Sequence, residues 1–178
     1  ASLTLKLGPE LGMCCGGHVD VLLEHFAMPF EVLLAGAGHI ARSLAPLLLS
    51  VGFHVTVVDD REAWADPEAF PGCSVRLGLP QTEAASLAPT AAVLVMTHDH
   101  ALDQELLHWA LTRGFAFIGG VGSRAKAARL QARLRAREVP ENLCARVRMP
   151  LGLAIGARSP QEIAIAIAAE LIAWRHEI

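Results

Sequence analysis

Long apolar runs are missing from this 178-residue chain, although 53% of its residues are hydrophobic. A membrane-spanning helix needs about 20 consecutive apolar residues, so no membrane partner is expected. The opening residues Ala1-Ser2-Leu3-Thr4 lack the basic and apolar regions of a signal peptide, which makes the cytoplasm the expected location. An excess of one charge is missing as well: 15 basic and 18 acidic residues give a net charge of −3. So even a balance gives no general reason to expect a nucleic-acid partner. Cysteine is scarce, with four residues, two of them adjacent at Cys14 and Cys15. Their spacing offers neither the disulfide framework of a secreted domain nor a C-x-x-C zinc pattern, and reduced thiols are expected. Repeats and low-complexity tracts are absent. The length and apolar content fit one well-buried domain with a small appendage.

The apolar residues fall into short runs punctuated by glycine turns. Val32-Leu33-Leu34-Ala35 leads into Gly36-Ala37-Gly38-His39-Ile40-Ala41, and a second apolar run ends Val57-Val58-Asp59-Asp60. The order strand, glycine turn, helix, strand and acid is that of a Rossmann unit. The first glycine allows the sharp turn, the second lets a pyrophosphate approach the backbone, and a third small residue, here Ala41, lets helix and strand pack closely. An anion would sit at the helix N-terminus, and Asp59 has about the spacing expected of an acid that bonds a ribose hydroxyl. His39 could reach a phosphate from this turn, or be an exposed histidine at a helix start.

Strands are expected near 30–35, 53–58, 74–77, 91–97 and 115–119. Helices are expected over 39–50, 100–113 and 124–138, with a short one near 81–87. Continuous runs such as Ala91-Ala92-Val93-Leu94-Val95-Met96 suit strands buried on both faces, hence a parallel sheet covered by helices. Gly52 and Gly114 sit where helices end. Ser159-Pro160-Gln161-Glu162 carries both capping-box residues and proline at the first helical position. Pro140 and Pro150 bracket a connector. Ahead of all this, Leu3 to Leu7 and Val19 to Phe26 alternate apolar and polar residues as a half-buried antiparallel pair would. The fold class expected is α/β: a Rossmann-type doubly wound parallel sheet with helices on both faces, preceded by a small β-hairpin segment.

Three further segments carry chemical possibilities. Gly119-Gly120-Val121-Gly122-Ser123-Arg124-Ala125-Lys126 is a second glycine turn before a helix, in which Ser123, Arg124 and Lys126 suit either an anion or an ordinary cap and a solvated basic face. Its spacing is not that of a Walker A loop, so nucleotide hydrolysis is not suggested. Arg129, Arg133 and Arg137 share one face of that helix and Ala127, Leu130 and Leu134 the other. Thr97-His98-Asp99-His100, followed by Asp103, lies at the carboxyl edge of a strand and reads as a helix cap, a ligand contact or, least favoured, a metal site. Cys14-Cys15-Gly16-Gly17 suits a soft ligand, since adjacent cysteines bridge poorly and glycines expose a thiol, or else simple packing in a turn.

Together these segments resemble the xanthine dehydrogenase accessory proteins (XdhC/CoxI-like). The resemblance rests on Leu11-Gly12-Met13-Cys14-Cys15-Gly16-Gly17-His18-Val19, the Gly36 turn, Val57-Val58-Asp59-Asp60-Arg61, Thr97-His98-Asp99-His100-Ala101-Leu102-Asp103, Ile118 to Lys126, and Pro150 to Ala164, in that order. It implies a chaperone rather than an enzyme with turnover of its own. Such a protein binds molybdenum cofactor (molybdopterin), shields it while a cysteine desulfurase supplies its terminal sulfur, and inserts it into an apo-molybdenum hydroxylase. A homodimer is also expected. The cofactor-binding residues expected are Cys14, Cys15, Gly36, Gly38, His39, Ala41, Asp59, His98, Ser123, Arg124 and Lys126, with no catalytic residue and no metal ligand. Family members usually begin with a further glycine-rich stretch, so residues 1–28 are expected to be the C-terminal remnant of an N-terminal cysteine-containing domain and 29–178 the Rossmann-like domain. The alternative is an NAD(P)-dependent oxidoreductase built on Gly36, Gly38, Ala41 and Asp59. A third possibility is an interaction module using the hairpin edge.

Overall fold

The structure, a computed structural model, describes residues 2–6, 17–22 and 30–177. Strands β1 (Ser2–Lys6) and β2 (His18–Leu22) pair antiparallel, with Thr4 opposite Asp20 and its hydroxyl donating to that carboxylate at 2.6 Å. The expected pairing is present, with Leu5 and Val21 partly buried while Leu3, Val19 and Leu22 are exposed.

From residue 31 the chain alternates strand and helix. It runs through β3 (Glu31–Ala35), α1 (His39–Ser50), β4 (His54–Asp59), a 3₁₀ turn at Pro67–Ala69, β5 (Ser74–Leu77), α2 (Pro80–Glu83), β6 (Ala92–Val95) and α3 (His100–Arg113). It continues through β7 (Phe117–Gly120), α4 (Arg124–Ala136), α5 (Glu141–Cys144), β8 (Val147–Arg148) and α6 (Pro160–Glu177). The strands form one six-stranded sheet in the order β5-β4-β3-β6-β7-β8, every neighbouring pair parallel. The expected doubly wound Rossmann-type sheet is therefore observed.

Alternation along the strands divides the core. Val32, Leu34, Val55, Val57, Ala92 and Leu94 pack under α1 and α6, whereas Leu33, Ala35, Val58, Val93, Val95 and Ile118 pack under α3 and α4. Each fully buried leucine contributes about 1.5–3 kcal/mol by leaving water, and α1 places Leu44 and Leu48 at 0% exposure. The basic stripe of α4 faces outward as expected, with Leu130 and Leu134 buried beneath it.

Termini follow their sequence signals. Gly114, with φ +75°, ends α3, and Ser159 and Glu162 form the reciprocal capping box before α6. Two details differ from expectation. The segment between Pro140 and Pro150 is more than a connector, since it holds α5 and β8. Strand β8 contributes only two residues, too few for a period-two pattern to register. The short helix starts at Pro80 and ends at Glu83, earlier than the apolar pattern suggested. Strand order reverses between β3 and β6, so the loops after these two strands flank the crevice where open α/β sheets bind ligands.

Candidate functional site

The first glycine turn sits at that reversal. Gly36 has φ +113°, and a Cβ there would lie 2.5 Å from the Met96 carbonyl oxygen. Glycine is thus required because the loops after β3 and β6 approach so closely. Gly38 is glycine for another reason. Its extended backbone would accept any residue, a Cβ there would meet nothing within 4 Å, and no side chain caps α1. The absent side chain leaves open space over the N–H groups of the first helical turn, which carry partial positive charge and favour an anion. Ala41 is fully buried and acts through close packing of α1 on the sheet. His39 is exposed at the start of α1.

Asp59, at the end of β4, is buried and fixes this turn from below. Its Oδ2 accepts from the Ala37 N–H at 2.8 Å and from Arg61 Nη2 at 2.8 Å. Its Oδ1 accepts from the Arg61 N–H at 3.0 Å and from Arg61 Nε at 2.8 Å. Burial works to raise the Asp59 carboxyl, but the Arg61 guanidinium and the N–H groups of Ala37 and Arg61 outweigh it and hold the group below the ordinary carboxylate value. Arg61 in turn lies 4.7 Å from the Trp64 ring centroid and Arg42 5.1 Å from it, while the His39 ring meets Trp64 edge-on at 5.5 Å. The arginines and the tryptophan were not among the residues expected from the sequence. The Asp-x-Arg spacing at a strand end was the signal that could have found Arg61.

On the other side of the crevice, Asp99 caps α3 by accepting from the Ala101 N–H at 2.7 Å, so the capping reading of this segment holds. His98 is exposed on the same loop. Asp103, one turn into α3, is buried at 4% exposure and accepts from the Thr97 N–H at 3.0 Å, the Thr97 hydroxyl at 2.7 Å and the Lys126 ammonium at 3.3 Å.

Lys126 belongs to the second turn, where Ser123 caps α4 by accepting from the Lys126 N–H at 3.3 Å. Arg124 is exposed beside a groove of about 730 Å³ lined by Val121, Leu151, Leu153 and Ile163. Lys126 also borders a basic cleft of about 300 Å³ with Arg129, Arg133 and His100. Of the expected residues, Gly36, Gly38, His39 and Asp59 gather at one turn and Ser123, Arg124 and Lys126 at another along the carboxyl edge, while His98 joins neither and Ala41 lies in the core. The Met96-Thr97 backbone against Gly36 and the Asp103 carboxylate link the two turns. Cys14 and Cys15 lie outside the described residues.

The fold defines a doubly wound, Rossmann-type class of domain, with the α1 start at its switch point and the α4 start one strand further along the same edge. The sequence profile of the XdhC Rossmann domain matches residues 32–171, and the chain belongs to that family. It is 33% identical over 166 residues to the uncharacterized protein YqeB of Escherichia coli, covering 91% of this chain and 30% of that protein. It is 31% identical over 168 residues to a Bacillus subtilis protein named as a probable component of xanthine dehydrogenase, covering 90% of this chain and 49% of the relative. The chain thus spans half or less of the length of these relatives. Among solved structures, one described as a xanthine dehydrogenase from Bacillus halodurans superposes with TM-score 0.73 and 32% identity, over 84% of this chain and 43% of that one.

Proposed function

We propose that this domain serves as an accessory to a molybdenum hydroxylase of the xanthine dehydrogenase class, holding phosphate-bearing ligands at its two glycine turns. Support for the hydroxylase connection comes from the relatives named as xanthine dehydrogenase components. The observation that carries the ligand reading is Gly38, whose missing side chain neither packing nor backbone conformation requires, and which leaves the α1 N-terminus open.

In this reading molybdenum cofactor is cargo. Its phosphate would be met by Arg124 at the second turn, where the neighbouring groove is largely apolar and suits a flat heterocycle. The first turn would take a nucleotide. Cys14 and Cys15 would offer soft thiolate ligands to the cargo, a cysteine desulfurase would supply its sulfur, and a second copy of the chain and an apo-hydroxylase would be the docking partners. Cysteines 73 and 144 are poor rivals for that role: burial raises the Cys73 thiol above its ordinary value, and Cys144 is fully buried.

Native mass spectrometry of protein purified from a cofactor-producing host tests the proposal. A bound pterin phosphate is expected, reduced several-fold per folded molecule by Cys14→Ser with Cys15→Ser and by Arg124→Ala. Purification of a fully folded chain with no pterin under anaerobic conditions would overturn it.

A further inference from the structure

We infer that the first glycine turn selects a nucleotide whose ribose carries a phosphate on its 2′ oxygen. This rests on reading the switch-point crevice as a nucleotide site. In that architecture the ribose lies against the end of the second strand of the unit, where a carboxylate accepts from a free diol or an arginine takes a 2′-phosphate.

Here the strand-end acid is Asp59, and it has no vacancy. A carboxylate offers about four lone-pair directions. Two on Oδ1 take the Arg61 N–H and Nε, and two on Oδ2 take the Ala37 N–H and Arg61 Nη2, with the side chain only 2% exposed. A ribose hydroxyl could bond to Asp59 only by displacing the glycine turn or the guanidinium.

The cations beside it are in the opposite condition. Arg61 spends Nε–H and one Nη2–H on Asp59, leaving three of its five donors, and its side chain is 30% exposed. Arg42 is exposed one turn into α1 and makes no ion pair among the described residues. Each guanidinium lies within 5.1 Å of the Trp64 centroid, so one indole gathers two cations with unspent donors at the end of β4, where a dianion can be met. Asp60, exposed beside them, attracts Arg61 at longer range without contact. The edge-on contact of His39 with Trp64 puts this pair next to the α1 N-terminus, within reach of one nucleotide. A 2′-phosphate also sets this ligand apart from a nucleotide extension of the cargo, whose ribose has a free diol.

Calorimetric titration of the full chain with 2′,5′-ADP, 3′,5′-ADP and ADP tests this. Charge-assisted bonds of the usual strength predict 2′,5′-ADP binding about tenfold or more tighter than ADP, with a gap that narrows as salt rises. The gap should vanish in Arg42→Glu and shrink in Arg61→Lys, each checked for folding by circular dichroism. Equal affinity for ADP would overturn the 2′-phosphate inference while leaving the nucleotide site standing. Equal affinity for 3′,5′-ADP would overturn the choice of oxygen, and persistence of the gap in folded Arg42→Glu would overturn the role of the arginines. Failure of all three to bind would overturn the nucleotide reading together with the inference.

Discussion

Asp59 Oδ2 accepts the Ala37 N–H at 2.8 Å across 22 residues of sequence, so the end of β4 holds the glycine turn that follows β3. A single carboxylate thereby sets the shape of the α1 entrance and anchors Arg61 at the same time. Replacing it with an amide leaves one acceptor oxygen for donors that now use two. Asp59→Asn should therefore lower stability by about 1.5–3 kcal/mol, the range for hydrogen bonds to a charged group, as measured by urea unfolding. A loss below about 0.5 kcal/mol would mean the turn holds its shape without the acid.

The same group gives a pH signature. Its folded-state value is depressed, so its contribution is present above the unfolded carboxylate value of about 4 and is lost as pH falls through the lower folded value. The stability difference between the wild type and Asp59→Asn should be constant above about pH 5 and narrow below about pH 4. A difference that does not change down to pH 2 would contradict the depressed value.

Gly36 and Gly38 should separate under substitution. Alanine at 36 forces Cβ against the Met96 carbonyl in a left-handed backbone and should cost about 2 kcal/mol or more. Alanine at 38 meets no atom, and its stability change should stay within about 1 kcal/mol while phosphate-ligand affinity falls. Thermal melts paired with titration of ADP check both. Gly38→Ala with unchanged affinity would remove the ligand argument for that glycine.

At the second turn, Lys126→Ala leaves Asp103 buried with its Thr97 bonds and only the exposed His100 ring 4.0 Å away, so it should destabilise the chain as well as weaken phosphate binding. Arg124→Ala should weaken binding alone, since its side chain is exposed and no ion pair of it occurs among the described residues. Equal melting temperatures for the two variants would show that the Asp103 contact contributes nothing to stability.

The sheet was legible because its strands are buried on both faces and its turns are marked by glycine. The runs at Val32–Ala35 and Ala91–Met96 could be little else, and α1 and α3 have the ends their sequence signals suggested. Strand β8 was not legible, because two residues carry no period and its place beside β7 is a tertiary fact. Within the site, Gly36 and Asp59 could be located from spacing, but that Asp59 turns all its lone pairs inward could not. That outcome depends on Arg61 folding back two residues and on Ala37 arriving from another strand. Arg42 and Trp64 are distant in sequence and meet only because α1 and the loop after β4 share one edge.

The most direct test of the account is reconstitution of a cofactor-free molybdenum hydroxylase of the xanthine dehydrogenase class with molybdenum cofactor, in the presence and absence of this chain. The account predicts that the chain raises the recovered hydroxylase activity several-fold at limiting cofactor, that Gly38→Ala and Arg124→Ala each reduce the gain, and that the chain alone transfers no hydride between NAD(P)H and small alcohols or hydroxy acids. Recovery unaffected by the folded chain, together with steady NAD(P)H turnover by the chain itself, would contradict it.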